Sequence, residues 1–129
     1  MGPTREAAVQ LSSDVSSLGA GRRFVARMLR SWGVEEARIE PVMLVANELV
    51  ANAIVHARSA PSLRLEASGS ALLLRVTDAS PDLPVARKAT LDGHGGRGLL
   101  LVETLADRWG IDASSSGKTV WATFADTFV

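Results

Sequence analysis

A carboxylate, an amide and an imidazole recur at intervals of four residues in one strongly apolar stretch of the chain. Glu48, Asn52 and His56 lie within residues 42–57, which are otherwise apolar except for Asn47. Residues four apart share one face of a helix. An amide oxygen suits magnesium, and a neighbouring carboxylate can orient or deprotonate a nucleophile. The alternative interpretation is a solvent-facing stripe, although such stripes usually hold Lys, Arg and several Glu.

A second carboxylate ends an apolar run. Asp78 follows residues 72–77, in which Leu72, Leu74 and Val76 alternate with other residues. A carboxylate at a strand end can accept a hydrogen bond from a donor such as an exocyclic amine. An Asx turn with Ser80 is an equally good interpretation of the local sequence.

A glycine-rich segment leads directly into an apolar, helix-like run. Glycines let backbone amides approach a phosphate, a helix N-terminus favours anions, and an arginine adds a charged donor. The segment is not followed by the Gly-Lys-Ser/Thr of a Walker loop, and it does not directly follow a strand as a Rossmann fingerprint does. A flexible loop with an ordinary helix entry is the alternative. The candidate phosphate-binding residues are Gly93, Gly95, Gly96, Arg97, Gly98 and Leu99.

The periodicities predict the elements that position these residues. Residues 6–12 are predicted as a strand, a helix follows from about Leu18 to Trp32, and residues 40–57 form a buried helix with Pro41 in its first turn. Residues 62–68 and 71–78 alternate as a hairpin, residues 82–96 form a loop, and residues 98–109 form a third helix. Residues 111–113 and 119–124 are predicted as a last hairpin. The expected fold is a two-layer α/β (α+β) sandwich, with a mixed, mostly antiparallel sheet covered on one face by three helices.

Composition narrows the class of protein. The 129 residues fit one domain, and 14 basic residues balance 14 acidic residues, which argues against a dedicated nucleic-acid surface. The absence of cysteine excludes disulfides, Cys-ligated metals and thiol nucleophiles. No apolar span is long enough to cross a membrane, and no signal peptide is evident, so we expect a cytoplasmic protein with no membrane partner.

Taken in order, the motifs resemble those of the GHKL ATPases, which have the Bergerat fold. Residues 48–57 look like the N-box of that family, and Asp78 sits where it carries an adenine-reading Asp-x-Gly box. Residues 95–99 look like its second glycine box, and residues 117–122 resemble its closing strand motif with a threonine. The likeness extends from about Val9 to Phe124, and the Glu-x-x-x-Asn pattern is most similar to the bacterial anti-sigma-factor serine kinases.

The resemblance implies roles for individual residues. Glu48 is the expected general base, and Asn52 the expected magnesium ligand between the phosphates of ATP. Asp78 is expected to accept from the adenine amino group, with Thr119 nearby, and His56 to border the adenine. The glycine segment from Gly95 to Leu99 is expected to wrap the phosphates.

The implied function is a regulatory serine/threonine kinase that uses ATP and Mg²⁺. Its implied partners are a sigma factor, an anti-anti-sigma factor, or both, and a homodimer is a further expectation. One departure from the family pattern is the replacement of Gly-x-Gly by Ser80, Pro81 and Asp82, which stiffens the turn. Two alternatives therefore remain: a nucleotide-gated partner-binding module without useful kinase activity, and a scaffold that binds no nucleotide.

Overall fold

The computed structural model describes residues 4–56, 58–80 and 95–128. Within them the order is strand, two helices, a short π-helix, two strands, one helix and two strands. The bounds are β1 Arg5–Gln10, α1 Ser17–Ser31, α2 Glu36–Ala51, the π-helix Asn52–His56, β2 Ser62–Ser68, β3 Ala71–Asp78, α3 Gly95–Leu105, β4 Arg108–Ser114 and β5 Gly117–Phe124.

The five strands form one sheet in the order β1-β2-β3-β5-β4, and every pairing between them is antiparallel. Alternate residues of β2, β3 and β5 are buried, which gives the sheet one apolar face. The helices cover that face, because their buried residues join those of the strands in a single core. The predicted two-layer sandwich with three covering helices is therefore confirmed.

The second helix lies at the centre of the helical layer. It packs against α1, α3 and β3. Its residues Val42, Val45, Ala46, Leu49 and Val50 are at most 2% exposed. An apolar helix between two other helices and a sheet has little surface left for water, which explains why the sequence is apolar almost all round.

The start of α2 was predicted wrongly. The helix begins at Glu36, so Pro41 lies inside it and not in its first turn. Proline removes one i→i−4 hydrogen bond, here to the carbonyl of Ala37. Ala37 is exposed, so water can satisfy that carbonyl, while the longer helix buries Ile39. Near this end, Arg30 donates two hydrogen bonds of 2.7 Å to Glu36, which hold the pKa of the Glu36 carboxyl below its usual range.

The third helix and the last hairpin also differ from the prediction. The helix spans Gly95–Leu105 and ends four residues early, because Trp109 belongs to β4, where it pairs with Ala122. Backbone pairing with β5 from Arg108 onward overrides the helical spacing of the apolar side chains. By contrast, β2 and β3 have the predicted bounds. No helix among the described residues is long and apolar enough to cross a membrane.

Candidate functional site

Glu48 and Asn52 lie one helical turn apart at the end of α2. The backbone N–H of Asn52 donates to the carbonyls of Glu48 and Leu49. Both polar side chains are partly exposed, whereas their neighbours Leu49 and Ala53 are buried. Neither side chain hydrogen bonds to any other described residue, so carboxylate and amide are both available to a ligand.

α2 ends at Ala51, and a wider π-helix follows it directly. Residues Asn52–His56 form a π-helix, a feature that often marks functional sites. A π-turn holds more residues than an α-turn, so the regular spacing of four residues per face applies only up to the end of α2 at Ala51. The His56 side chain lies outside the described part of the structure, so its expected place beside adenine stays a prediction.

Two hydrogen bonds connect the π-helix to the end of β3. The N–H of Ser59 donates to the carbonyl of Ala53 at 3.0 Å, and the hydroxyl of Ser59 accepts from the N–H of Ala79, also at 3.0 Å. Ala79 is the residue that follows Asp78. The structure thus places the backbone that carries Asn52 and the backbone that carries Asp78 at the same end of the molecule.

Asp78 forms a buried ion pair with a residue of the neighbouring strand. The ammonium of Lys118 lies 3.1 Å from Oδ1 and 3.0 Å from Oδ2, and also donates to the carbonyl of Ser80 at 3.3 Å. The side chains of Asp78 and Lys118 are 2% and 3% exposed. Oδ1 also accepts from the N–H of Ser80 at 2.8 Å, which is the Asx turn of the alternative interpretation. The turn and the pair therefore occur together.

Thr119 is not brought to Asp78. Successive residues of a strand point to opposite faces, so Thr119 lies on the uncovered face of the sheet, where its hydroxyl is 2.8 Å from that of Thr77. It lines a shallow groove there with Arg64, Arg75 and Asp112. The expected position of Thr119 beside the adenine-reading carboxylate is corrected accordingly: Lys118 is the residue of β5 that meets Asp78.

The glycine segment is only partly described. Gly93 and His94 lie outside the described residues, so their expected roles stay predictions. Gly95, Gly96, Arg97 and Gly98 form the first turn of α3, where a loop had been predicted for the first two. Leu99 is buried, and α3 packs against α2. The first N–H groups of a helix have no intrahelical partner, which is compatible with anion binding.

Gly117 is required by the close approach of β5 to the end of β3. A Cβ atom at this position would overlap the carbonyl oxygen of Asp78 and lie 3.1 Å from the Cα of Ala79. Its φ of 149° is also unfavourable for a side chain. Gly117 therefore sets the separation of the backbones that carry Asp78 and Lys118.

We expect Gly117→Ala to lower the free energy of unfolding by about 2–4 kcal/mol, because overlap and backbone strain add. Gly69→Ala is the matched control, since Gly69 has φ of 61° but open space around a Cβ. The control is expected to cost about 1–2 kcal/mol, from strain alone. Denaturant titration of both variants measures the difference, and equal losses would contradict the steric argument.

The side chains near Asn52 show which kind of magnesium site could form there. No group of three or more His, Asp or Glu side chains within the described ranges is arranged to hold a metal ion. Mg²⁺ commonly keeps several waters and binds one or two protein oxygens together with substrate phosphates. An available amide at Asn52 fits an ion delivered with a polyphosphate, and does not fit a permanent protein-bound ion.

Sequence reasoning missed Lys118 and Ser59 as parts of this site. The signal for Lys118 was present, because it is in phase with Val120, Ala122 and Phe124, the buried residues of β5. A polar residue at that phase must face the core and needs a partner. Ser59 carried no comparable signal, since its role depends on where the chain after the π-helix meets β3.

The fold and motifs place the chain in a known family. The model of the histidine kinase-like ATPase domain matches residues 11–124, and the chain belongs to this family. The resemblance to the GHKL ATPases is thereby confirmed, and the family implies ATP as the ligand. A comparison with curated proteins finds no match.

A solved structure supports the same fold. The chain is similar to the crystal structure of the RsbU and RsbW domains of Rv1364c from Mycobacterium tuberculosis, with a TM-score of 0.73 and 17% sequence identity. The match covers 95% of this chain and 33% of that chain, so this chain spans about a third of that protein's length. At this identity the likeness establishes the fold.

Proposed function

We propose that this chain is a regulatory serine/threonine protein kinase of the anti-sigma type, which uses ATP with Mg²⁺. Its acceptor is a serine of a small anti-anti-sigma protein, and a sigma factor is the partner that phosphorylation controls. The protein acts in the cytoplasm without contacting nucleic acid or membrane, and a homodimer is its proposed assembly.

The observation that carries the proposal is the pair of available polar groups at the junction of α2 and the π-helix, at the same end of the molecule as Asp78. Glu48 and Asn52 hydrogen bond to no other described residue, although they lie in the mostly apolar stretch of residues 42–57. The hydrogen bonds of Ser59 link that helix end to Ala79, beside Asp78. ATP-dependent phosphoryl transfer requires a base, a magnesium ligand and an acceptor for the adenine amine. The proposal assigns these three roles to groups at one end of the fold.

In the proposed reaction, the serine oxygen forms a bond to the γ-phosphorus as the bond from that phosphorus to the β,γ-bridging oxygen breaks. ADP leaves, and the hydroxyl proton passes to the Glu48 carboxylate. Asn52 holds Mg²⁺, which neutralises charge on the phosphates when bound. Positioning and electrostatic stabilisation supply most of the rate enhancement in such transfers. The N-terminal turn of α3, with Gly95 and Arg97, faces the phosphates in this proposal.

Label transfer tests the proposed activity. Purified protein is incubated with [γ-³²P]ATP, Mg²⁺ and candidate small antagonist proteins from the same genome. The proposal expects one of them to acquire acid-stable label, because a serine phosphate survives acid whereas a histidine phosphate does not. Acid-labile label would contradict the serine acceptor, and absence of transfer despite ATP binding would contradict kinase activity.

A second candidate function is a nucleotide-gated partner-binding module without useful kinase activity. The observation that favours it is the constrained carboxylate, since Asp78 is shielded and already bonded to Lys118 and Ser80. A shielded acceptor slows nucleotide exchange and suits a protein that holds one nucleotide for long periods. Partner affinity that differs between the ATP and ADP forms, with no label transfer, would establish this function.

A further inference from the structure

We propose that Lys118 is a positioning residue for the nucleotide base, which holds the Asp78 carboxylate in an orientation in which one oxygen accepts the exocyclic amine of adenine. The inference rests on the proposed function, because it concerns the same ATP site. It adds a specificity-determining residue from β5, on the strand where Thr119 had been expected to serve.

The hydrogen bonds of the Asp78 carboxylate leave an acceptor position for the base. A carboxylate has about four lone-pair positions, two on each oxygen. Oδ1 of Asp78 accepts from both the Lys118 ammonium and the Ser80 N–H, so its positions are filled. Oδ2 lies 3.0 Å from the Lys118 ammonium in the ion pair and accepts no hydrogen bond from any other described residue. One acceptor position on Oδ2 therefore remains for a donor from outside.

The contacts of the Lys118 ammonium fix its position against Asp78. An ammonium has three N–H donors. The ammonium of Lys118 donates hydrogen bonds to Oδ1 of Asp78 and to the carbonyl oxygen of Ser80, and lies 3.0 Å from Oδ2. Because these contacts hold a side chain that is only 3% exposed against the carboxylate, Lys118 acts in this proposal through Asp78 and not by direct contact with the base.

Base selectivity follows from this arrangement. The open position on Oδ2 is an acceptor and fits the amino group of adenine. Guanine has a carbonyl oxygen at the equivalent place, so two acceptors would face each other without a proton between them, which buried sites reject strongly. Because the pair is only 2–3% exposed, the entering base must displace what covers Oδ2. The proposal requires the contacts of Lys118 to persist when the base is bound.

The test compares ATP with purine riboside triphosphate, which lacks only the exocyclic amine. Calorimetry measures both dissociation constants for the wild type and for Lys118→Met. In the wild type we expect ATP to bind roughly 10- to 100-fold more tightly than the analogue, the usual range for a hydrogen bond to a charged group. In Lys118→Met we expect the two constants to agree within about threefold, because the carboxylate loses its charge partner and its orientation.

A purely structural role for Lys118 predicts another pattern, in which both nucleotides weaken together and their ratio is kept. That result overturns the inference and leaves the proposed function intact. Binding of neither nucleotide by the wild type overturns both. Equal wild-type affinities for the two nucleotides overturn the role of Asp78 as the amine acceptor, and with it the inference.

A measurement on the wild type covers the case in which Lys118→Met fails to fold. The chain contains two lysines, Lys88 and Lys118, so the ammonium signals in ¹⁵N NMR are readily assigned with a Lys88→Arg variant. We expect the Lys118 ammonium to stay protected from solvent exchange when ATP saturates the protein. Loss of that protection on ATP binding means that the base displaces Lys118, which overturns the inference.

Discussion

Glu48→Gln is expected to slow phosphoryl transfer by roughly 100- to 10,000-fold, the usual contribution of a general base. Glutamine keeps the size and shape of the side chain but cannot take up the serine proton. The Glu48 carboxylate is partly exposed and has no described hydrogen-bond partner, so its replacement breaks no contact of the fold. ATP binding and thermal stability are therefore expected to remain close to wild type.

Single-turnover transfer at saturating ATP measures this effect without interference from binding. Glu40→Gln is the matched control, because Glu40 is an exposed glutamate on the same helix, two turns earlier. The control is expected to transfer phosphate at the wild-type rate. An unchanged rate in Glu48→Gln would remove Glu48 from the mechanism.

The buried pair of Asp78 and Lys118 gives the second large effect, this time on stability. Removing one member of a buried ion pair leaves an uncompensated charge, which typically costs about 3–5 kcal/mol. We expect Asp78→Asn and Lys118→Met each to lower the free energy of unfolding by about that amount. In a domain of this size the midpoint of thermal unfolding then falls by roughly 10–20 °C.

The double variant Asp78→Asn/Lys118→Met distinguishes charge from packing. It has no charge left unpaired, so its loss is expected to be well below the sum of the two single losses. Thr119→Val is the control on the opposite face, where loss of the exposed hydroxyl pair is expected to cost about 1 kcal/mol or less. Denaturant titration measures all four variants. Additive single losses would show that the two charges do not depend on each other.

The parts of the fold that were predictable depend on local pattern. β2 and β3 could be bounded because buried residues alternate strictly on both sides of Gly69 and Ser70. The burial of α2 was predictable because residues 42–57 are mostly apolar. Its start did not, because an exposed Ala37 makes Pro41 tolerable inside the helix, and exposure depends on tertiary structure. The end of α3 was predicted wrongly because Trp109 pairs with β5 as part of β4 and does not continue the helix.

The site was predictable to a similar extent. Spacing selected Glu48 and Asn52 as candidates, and position at a strand end selected Asp78, and the structure brings the backbones that carry Asn52 and Asp78 to the same end of the molecule. The π-helix after Ala51 has no local sequence signal, so the end of the regular α-helix at that residue could not be predicted. The choice between Lys118 and Thr119 depended on strand phase, which motif resemblance alone does not fix. Strand alternation, applied to the buried residues of β5, does fix it.

The central claim is that the end of α2 holds Mg-ATP, and one calorimetric titration tests it most directly. Wild type and Asn52→Ala are titrated with ATP in the presence of Mg²⁺ and again in the presence of a chelator. We expect the wild type to bind ATP more tightly with Mg²⁺, and Asn52→Ala to lose this magnesium dependence while remaining folded. Magnesium-independent binding by the wild type, or an unchanged magnesium dependence in Asn52→Ala, would contradict it.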